Sequence, residues 1–327
     1  MGRPTIYDVA EAAGVAPSTV SRAFSDPLRL SEHTRHRVLD TAAALGYRSR
    51  RRRAPAGRSR TIAMVVSDIT NPHYFELVRG AELGAKAAGY TLVLVNAEET
   101  PRVEYDQIQQ LSRSVDGFVL AASRLPDENL VQIAAVRGVV LLNRELAGAP
   151  SASLDHADGC RQIVEHLASL GHRELVYLSG PPTSWMASHR WTELRRTADQ
   201  LGLTLHRAGP FVPRASHGAA AADAALTTSA SAIVAHNDLL AIGVLQRLVQ
   251  RGLRVPADVS VVGFDDIFAA ELCHPTLTTL GGSHVDVGRA GVQILLDELD
   301  GGTDHDKSRL PRRAVIPSEL RIRASTG

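Results

Sequence analysis

The segment TIYDVAEAAGVAPSTVSRAFS, residues 5–25, leaves a chain little choice: it reads as two short helices joined by a tight turn. Thr5 can cap the first, with Asp8 three residues on to answer the free N–H. Ile6, Val9, Ala10 and Ala13 give that helix an apolar face at helical spacing. Gly14 ends it. Val15 packs inward, and Pro17, tolerated in a first turn because its missing N–H would have no partner there, opens a second helix through Val20 and Phe24. Ser18, Thr19, Ser21 and Arg22 then point outward, short enough to approach a major groove and able to bond base edges or phosphates. An ordinary helical hairpin with a polar outer face has the same pattern, so the neighbouring segments decide.

A third helix is expected from a cap at Ser31 through Val38, Leu39, Ala42 and Leu45 to Gly46, where a left-handed terminator fits. Residues 1–60 hold 12 Arg against 5 acidic residues, a net +7, whereas the whole chain carries only +1. A basic head on a near-neutral body suits a polyanion partner, because neutralising phosphates supplies affinity independent of sequence.

The pattern T-x-x-D-V-A-x-x-A-G-V-x-x-x-T-V-S-R, met at Thr5, Asp8, Val9, Ala10, Ala13, Gly14, Val15, Thr19, Val20, Ser21 and Arg22, resembles the lac repressor and purine repressor family of bacterial transcription regulators. The resemblance runs nearly the whole length. It implies a small all-α helix-turn-helix headpiece over residues 1–47, an Arg-rich hinge over 48–60, and an α/β body over 61–327. That body would have two Rossmann-like lobes joined by three crossovers, like periplasmic binding proteins. It also implies that Pro17, Ser18 and Arg22 meet bases, while Tyr7, Ser21, Ser25, Arg29, Ser31 and Thr34 lie near the DNA backbone; Thr5 and Thr19 complete the candidate DNA-facing set. One departure is Ala16, where relatives usually carry a serine cap. That loss gives up about 1 kcal/mol of helix stability, which the helix is expected to survive.

The hinge departs further. Relatives carry Y-x-P-N-x-x-A-R-x-L, a segment that folds on the operator and wedges a leucine into the minor groove. Here Ser49 and Arg50 stand in place of Pro-Asn, Ala56 occupies the leucine position, and Pro55 would interrupt a helix approaching it. Arg50, Arg51, Arg52 and Arg53 therefore either enter a narrow minor groove or form a solvated basic tether touching phosphates only.

From Thr61 onward, β-rich runs alternate with helical stretches: TIAMVV, then a helix over 72–88 ended by Gly89, then TLVLV, GFVLA and VVLL, and a second series of LVYLS, AIVA and VSVVGF. Strand, helix, strand in this order means parallel sheets with helices on both faces. A body of 267 residues exceeds one comfortable core, so two similar lobes are expected. Ligands of such sheets bind beyond the carboxyl ends of the strands. Those positions are polar here: SDITNPHYF over 67–75, Asn143-Arg144, Asn237-Asp238 and Asp265-Asp266.

The resemblance implies effector contacts at Asn71, Tyr74, Phe75, Asn143, Arg190, Phe211, Asn237 and Asp265, and Trp185 is a further candidate to face a sugar ring. Aromatics are only 4% of the chain, yet several fall at strand ends, which fits a polyhydroxylated ligand. Structural readings stand beside these. Asp238 reads as the N-cap of the following helix, Arg190 as half of an ion pair, Trp185 as interface packing and Asp266 as a loop brace. His236, Asp265 and Asp266 lack the spacing of a metal site, so neither metal nor cofactor is expected. Gly281-Gly282 replaces a stretch where some relatives place a polar effector contact.

No G-x-G-x-x-G follows the first strand and neither a phosphate loop nor H-E-x-x-H is present, which argues against an enzyme. A secreted sugar-binding module would need an export signal. The N-terminus runs instead into a polar helix, and two cysteines, Cys160 and Cys273, read as reduced thiols in a cytoplasmic protein. The expectation is a dimeric repressor on a near-palindromic operator, released by a sugar or sugar derivative between the lobes; a purine-like corepressor is the alternative. The end RIRASTG, without a leucine-heptad tail, favours a dimer over a tetramer. Replacing Arg50, Arg51, Arg52 and Arg53 by alanine separates the two hinge readings. If they enter the groove, selection from random operators should lose its preference for A·T-rich centres; if they form a tether, only the salt dependence of binding should flatten.

Overall fold

The computed structural model describes residues 4–25, 32–45, 59–300 and 312–327. The chain divides into two compact units, Met1–Gly57 and Arg58–Gly327.

The first unit contains α1 (Ile6–Ala13), α2 (Pro17–Ser25) and α3 (Glu32–Ala44). The Thr5 hydroxyl accepts the Asp8 N–H at 3.4 Å while the Asp8 carboxylate accepts the Thr5 N–H at 2.6 Å, the reciprocal box that the sequence spells. Gly14 takes φ 62° and ψ 40°, a left-handed C-cap. α2 forms despite Ala16, whose carbonyl accepts from Thr19 and Val20. Val9, Ala10, Ala13, Val20, Ala23, Val38 and Ala42 make the core, with Ile6 and Val15 at its edge. Leu45, expected to face inward, is 41% exposed, because α3 ends one residue earlier. Ser31, Gly46 and the Phe24 side chain lie outside the described residues.

The second unit holds two six-stranded sheets. In the first, β1 (Thr61–Val66), β2 (Thr91–Asn96), β3 (Gly117–Ala121), β4 (Gly138–Leu142), β5 (Ser151–Leu154) and β11 (Arg313–Ile316) lie in the order β11-β5-β4-β3-β1-β2. In the second, β6 (Glu174–Leu178), β7 (Thr204–Ala208), β8 (Ala232–Ala235), β9 (Ser260–Phe264), β10 (Thr278–Gly282) and β12 (Ser318–Arg321) lie in the order β12-β10-β9-β8-β6-β7. Every pairing is parallel except that of β10 with β12. The central strands are buried on both faces, which is why they read as unbroken apolar runs such as TIAMVV and GFVLA.

Helices α4 (His73–Ala87) and α12 (His284–Asp300) cover one face of the first sheet, with α5 (Pro101–Leu111) and α6 (Asp127–Ala134) on the other. Around the second sheet, α7 (His156–Ser169) and α8 (Trp185–Gln200) oppose α9 (Gly218–Ala225), α10 (Asp238–Gln250) and α11 (Ala269–Leu272). The chain crosses between lobes three times: from β5 into α7, from β10 into α12 and from β11 into β12.

Two local readings change. The N-cap of α10 is Asn237, not Asp238: Asn237 keeps extended backbone and its amide oxygen accepts the Leu240 N–H at 3.0 Å. Asp238 is the first helical residue and is fully buried, accepting from Thr279 and, at 2.9 Å, from the Ile267 N–H. The Gly281-Gly282 pair answers to packing: a Cβ would lie 2.5 Å from that of Asp266 at the first and 2.7 Å from Leu154 Cδ2 at the second.

Helices α4 and α12 touch through bare backbone. A Cβ on Gly80 would overlap the Val285 carbonyl oxygen, and one on Gly288 would overlap that of Leu77. Gly288→Ala must push the two helices apart and should lower the stability of the body by about 3 kcal/mol or prevent folding, measured by denaturant unfolding. Gly148→Ala serves as the contrast: nothing lies within 4 Å, and only its φ of 82° resists, which costs about 1 to 2 kcal/mol.

Candidate functional site

The carboxyl ends of both sheets face a common cleft, and the backbone there is unusual. Asn143 after β4 has φ 52°, and Asp265 and Asp266 after β9 have φ 108° and 51°. Asn and Asp tolerate left-handed backbone better than other non-glycine residues, and such geometry collects where a ligand or a moving part is handled.

Arg190, on the second turn of α8, is buried with its guanidinium 4.1 Å above the Phe264 ring. It donates to the His236 carbonyl, and its Nη2 lies 3.3 Å from the Asp265 carboxylate. Burial raises the Asp265 pKa, with Arg190 pulling the other way. From the opposite lobe, His73 at the start of α4 brings Nδ1 to 3.5 Å from Asp265 Oδ1. The Asn143 amide nitrogen lies 3.3 Å from His73 Nε2, which makes that ring nitrogen an acceptor and leaves the proton on Nδ1. His284 at the start of α12 donates from Nε2 to the Asp265 carbonyl at 3.0 Å and packs edge-on to His73 with ring centroids 4.6 Å apart. Burial pushes the His73 imidazole down to about 3 and that of His284 to about 4, so both rings are neutral.

A second bridge crosses the cleft. Arg214, in the loop after β7, donates to Asp68, in the loop after β1, at 2.8 Å, while Thr70 satisfies the other carboxylate oxygen. Asp68 is held below the usual carboxylate range by those hydrogen bonds, which outweigh its desolvation.

The structure brings Asn143, Arg190 and Asp265 together in this cleft. Asn71 uses its side-chain oxygen to accept the His73 N–H at 3.1 Å, shaping the entry to α4. Tyr74 packs with the apolar residues under the first sheet and edge-on to His73, with ring centroids 5.2 Å apart; its hydroxyl pairs with Ser67, and burial raises it to about 12. Phe75 is exposed, and Phe211 is half-buried against the core of the second lobe. Trp185 stacks on His189 at 4.7 Å. The Asn237 amide caps α10 with its oxygen and donates one N–H to the Pro213 carbonyl at 3.2 Å. His236 pairs with the Tyr177 hydroxyl at 3.0 Å, and no group of three or more His, Cys, Asp or Glu could hold a metal ion among the described residues.

Sequence reasoning passed over His73, His156, His284, Asp68 and Arg214. The signal was present. Each of the three histidines stands two to seven residues past the end of a strand, where the chain turns into a helix.

In the head, Tyr7, Pro17 and Ser18 are exposed, Thr19 and Thr34 half-buried, and Thr5 is engaged in its cap. Ser21, Arg22 and Ser25 lie on α2, but their side chains fall outside the described residues, as do Arg29, Ser31, Arg50, Arg51, Arg52 and Arg53.

Residues 5–49 match the family model of bacterial regulatory proteins of the lacI family, and residues 164–326 match that of a periplasmic binding protein-like domain. The HTH-type transcriptional repressor CytR of Escherichia coli strain K12 is 30% identical over 98% of this chain and 96% of its own length. A solved complex of the transcriptional regulator CelR with cellobiose shares 28% identity at a TM-score of 0.70, covering 99% of this chain and 100% of that one. The lac repressor dimer bound to operator and the anti-inducer ONPF shares 26% at 0.72, covering 99% of both. With a helical head, a two-lobed body and this similarity along the full length, the chain belongs to the lacI family of bacterial regulatory proteins.

Proposed function

We propose that this repressor binds operator DNA as a homodimer through α2 and that a sugar or sugar derivative, held between the lobes, alters that grip. The observation that carries the reading is the set of buried polar atoms at the carboxyl ends of both sheets. His73 Nδ1, Asn143 Oδ1, both nitrogens of His156, Arg190 Nε and His284 Nδ1 have no hydrogen-bond partner within the protein. Polar atoms taken out of water want partners, and a small hydroxylated molecule supplies them in number. The cellobiose complex of the CelR regulator and the operator-bound dimer of the lac repressor support the same assignment.

Binding rather than chemistry fits the groups present. The thiol behind Arg190, Cys160, is pushed up to about 12 by burial, so it offers no nucleophile. No helix among the described residues is long and apolar enough to cross a membrane.

Two measurements test this. Purified protein should retain a small set of genomic fragments in preference to bulk DNA; uniform retention would remove the regulator reading at its root. A sugar that releases those fragments should also stabilise the body by about 2.7 kcal/mol at 100 times its dissociation constant. Arg190→Ala should abolish release by that sugar while leaving DNA retention within about twofold. An Arg190→Ala protein that still responds would place the ligand elsewhere.

A further inference from the structure

Three helices begin at the cleft, and each begins with a histidine: His73 opens α4, His156 opens α7 and His284 opens α12. All three are at least nine-tenths buried. Their unpartnered atoms are of both kinds. His73 Nδ1 and Arg190 Nε are donors, whereas Asn143 Oδ1 is an acceptor. His284 has spent its proton on the Asp265 carbonyl, so its Nδ1 accepts as well. A neutral His156 offers one donor and one acceptor. A hydroxyl group both donates and accepts and can meet every one of these atoms. A carboxylate or phosphate only accepts, and would confront Asn143 Oδ1, His284 Nδ1 and the Asp265 carboxylate with nothing to give.

We propose that His73, His156 and His284 are the ligand-reading groups of the cleft, that they select an uncharged hydroxylated molecule over its phosphorylated or acidic counterpart, and that the lobes close only when all three rings are neutral. This deepens the effector-cleft reading above and rests on it.

Carboxylates face two of the three rings, and cations or other imidazoles face all three. His73 faces Asp265 from the loop after β9, Arg190 from α8 and His284 from α12. His284 faces His73, Asp265 and Asp266. His156 faces Arg190 and His189 from α8, and His73 and His284 from the other lobe. The one carboxylate in contact with these rings, Asp265, is already matched by Arg190. The three rings also sit in the first turns of their helices, where the dipole disfavours added positive charge. Burial therefore lowers all three pKa values in the closed form, His156 well below the ordinary value.

The sign follows from linkage. Opened to water, each ring returns toward its ordinary value of about 6.5, so the open form takes up protons as pH falls and closure is lost. Between about pH 7.5 and pH 5.5 the closing equilibrium should weaken by about tenfold for each linked imidazole.

The test uses the full chain carrying Cys273→Ser and a fluorophore pair at Arg102→Cys and Arg195→Cys, exposed positions in opposite lobes. Energy transfer should report closed lobes at about pH 8 and opening as pH falls through about 6.5. Replacing all three histidines by glutamine, which stays neutral and polar, should flatten the profile. In parallel, D-glucose, D-ribose and cellobiose are compared by calorimetry with glucose 6-phosphate, ribose 5-phosphate and glucuronate; an uncharged member should bind more tightly than its charged partner and weaken as pH falls. A flat opening profile overturns the proposal, as does a glutamine variant that keeps the wild-type midpoint, or a charged member that binds more tightly than its uncharged partner. A panel with no binder beside a pH-driven opening instead removes the sugar reading.

Discussion

Three chain crossings between two mostly parallel sheets constrain everything the body can do. Each crossing leaves from the carboxyl end of a strand, at Leu154, Gly282 and Ile316. Those are also the edges at which open parallel sheets hold ligands. The cleft and the crossings between the lobes are consequently built from the same short segments. On the proposed reading, a molecule bound between Asp265 on one side and His73 and Asn143 on the other sits beside the crossing segments, with no separate relay needed. Differential contact with open and closed arrangements is all that such coupling requires.

Packing within the first lobe fixes how the cleft is furnished. Because Gly80 and Gly288 let α4 and α12 meet backbone to backbone, the first residues of both helices arrive side by side. His73 and His284 are thereby held with their rings 4.6 Å apart although they lie more than two hundred positions apart in the chain. Side chains at these glycines would separate the helices and the rings together. The sequence position of each glycine thus belongs to the chemistry of a site that it does not touch. Across the cleft, Arg190 is placed with similar economy: the Phe264 ring supports its guanidinium and the His236 carbonyl holds one nitrogen, which leaves another for Asp265.

The parts legible in the sequence are those whose causes are local. Thr5 with Asp8, Gly14 and Pro17 each act within one helical turn, and the structure uses them as their spacing implies. The apolar runs of β1, β3 and β4 need only burial on both faces. The misplacements came where a neighbour in space decides. Asn237 and Asp238 are both good caps, and only the extended backbone at Asn237 settles which one the helix takes. Tyr74 follows a strand end, as a ligand-facing aromatic would, and how much of it a ligand meets is set by the core its ring packs against rather than by its neighbours in sequence. The strands β5, β7, β11 and β12 are short or polar, and their place depends on the strands they pair with. The three helix-opening histidines went unremarked because nothing within several residues of any of them points to the other two.

Stability does not explain why a buried cleft holds so many unmatched polar atoms. Leaving one buried donor or acceptor without a partner costs about 1 to 3 kcal/mol, and apolar side chains of similar size at His73, His156 and His284 would remove several such penalties at once. The Arg190–Asp265 pair points the same way, since a buried ion pair is often no better for stability than packed hydrocarbon. A body that folds around two well-filled sheets has little need of either feature. Their cost becomes intelligible once the closed cleft is one half of an equilibrium. Penalties carried by the closed form weaken it, and a ligand that supplies the missing hydrogen bonds removes them. The same atoms that weaken closure without a ligand thereby set how far a ligand can shift it.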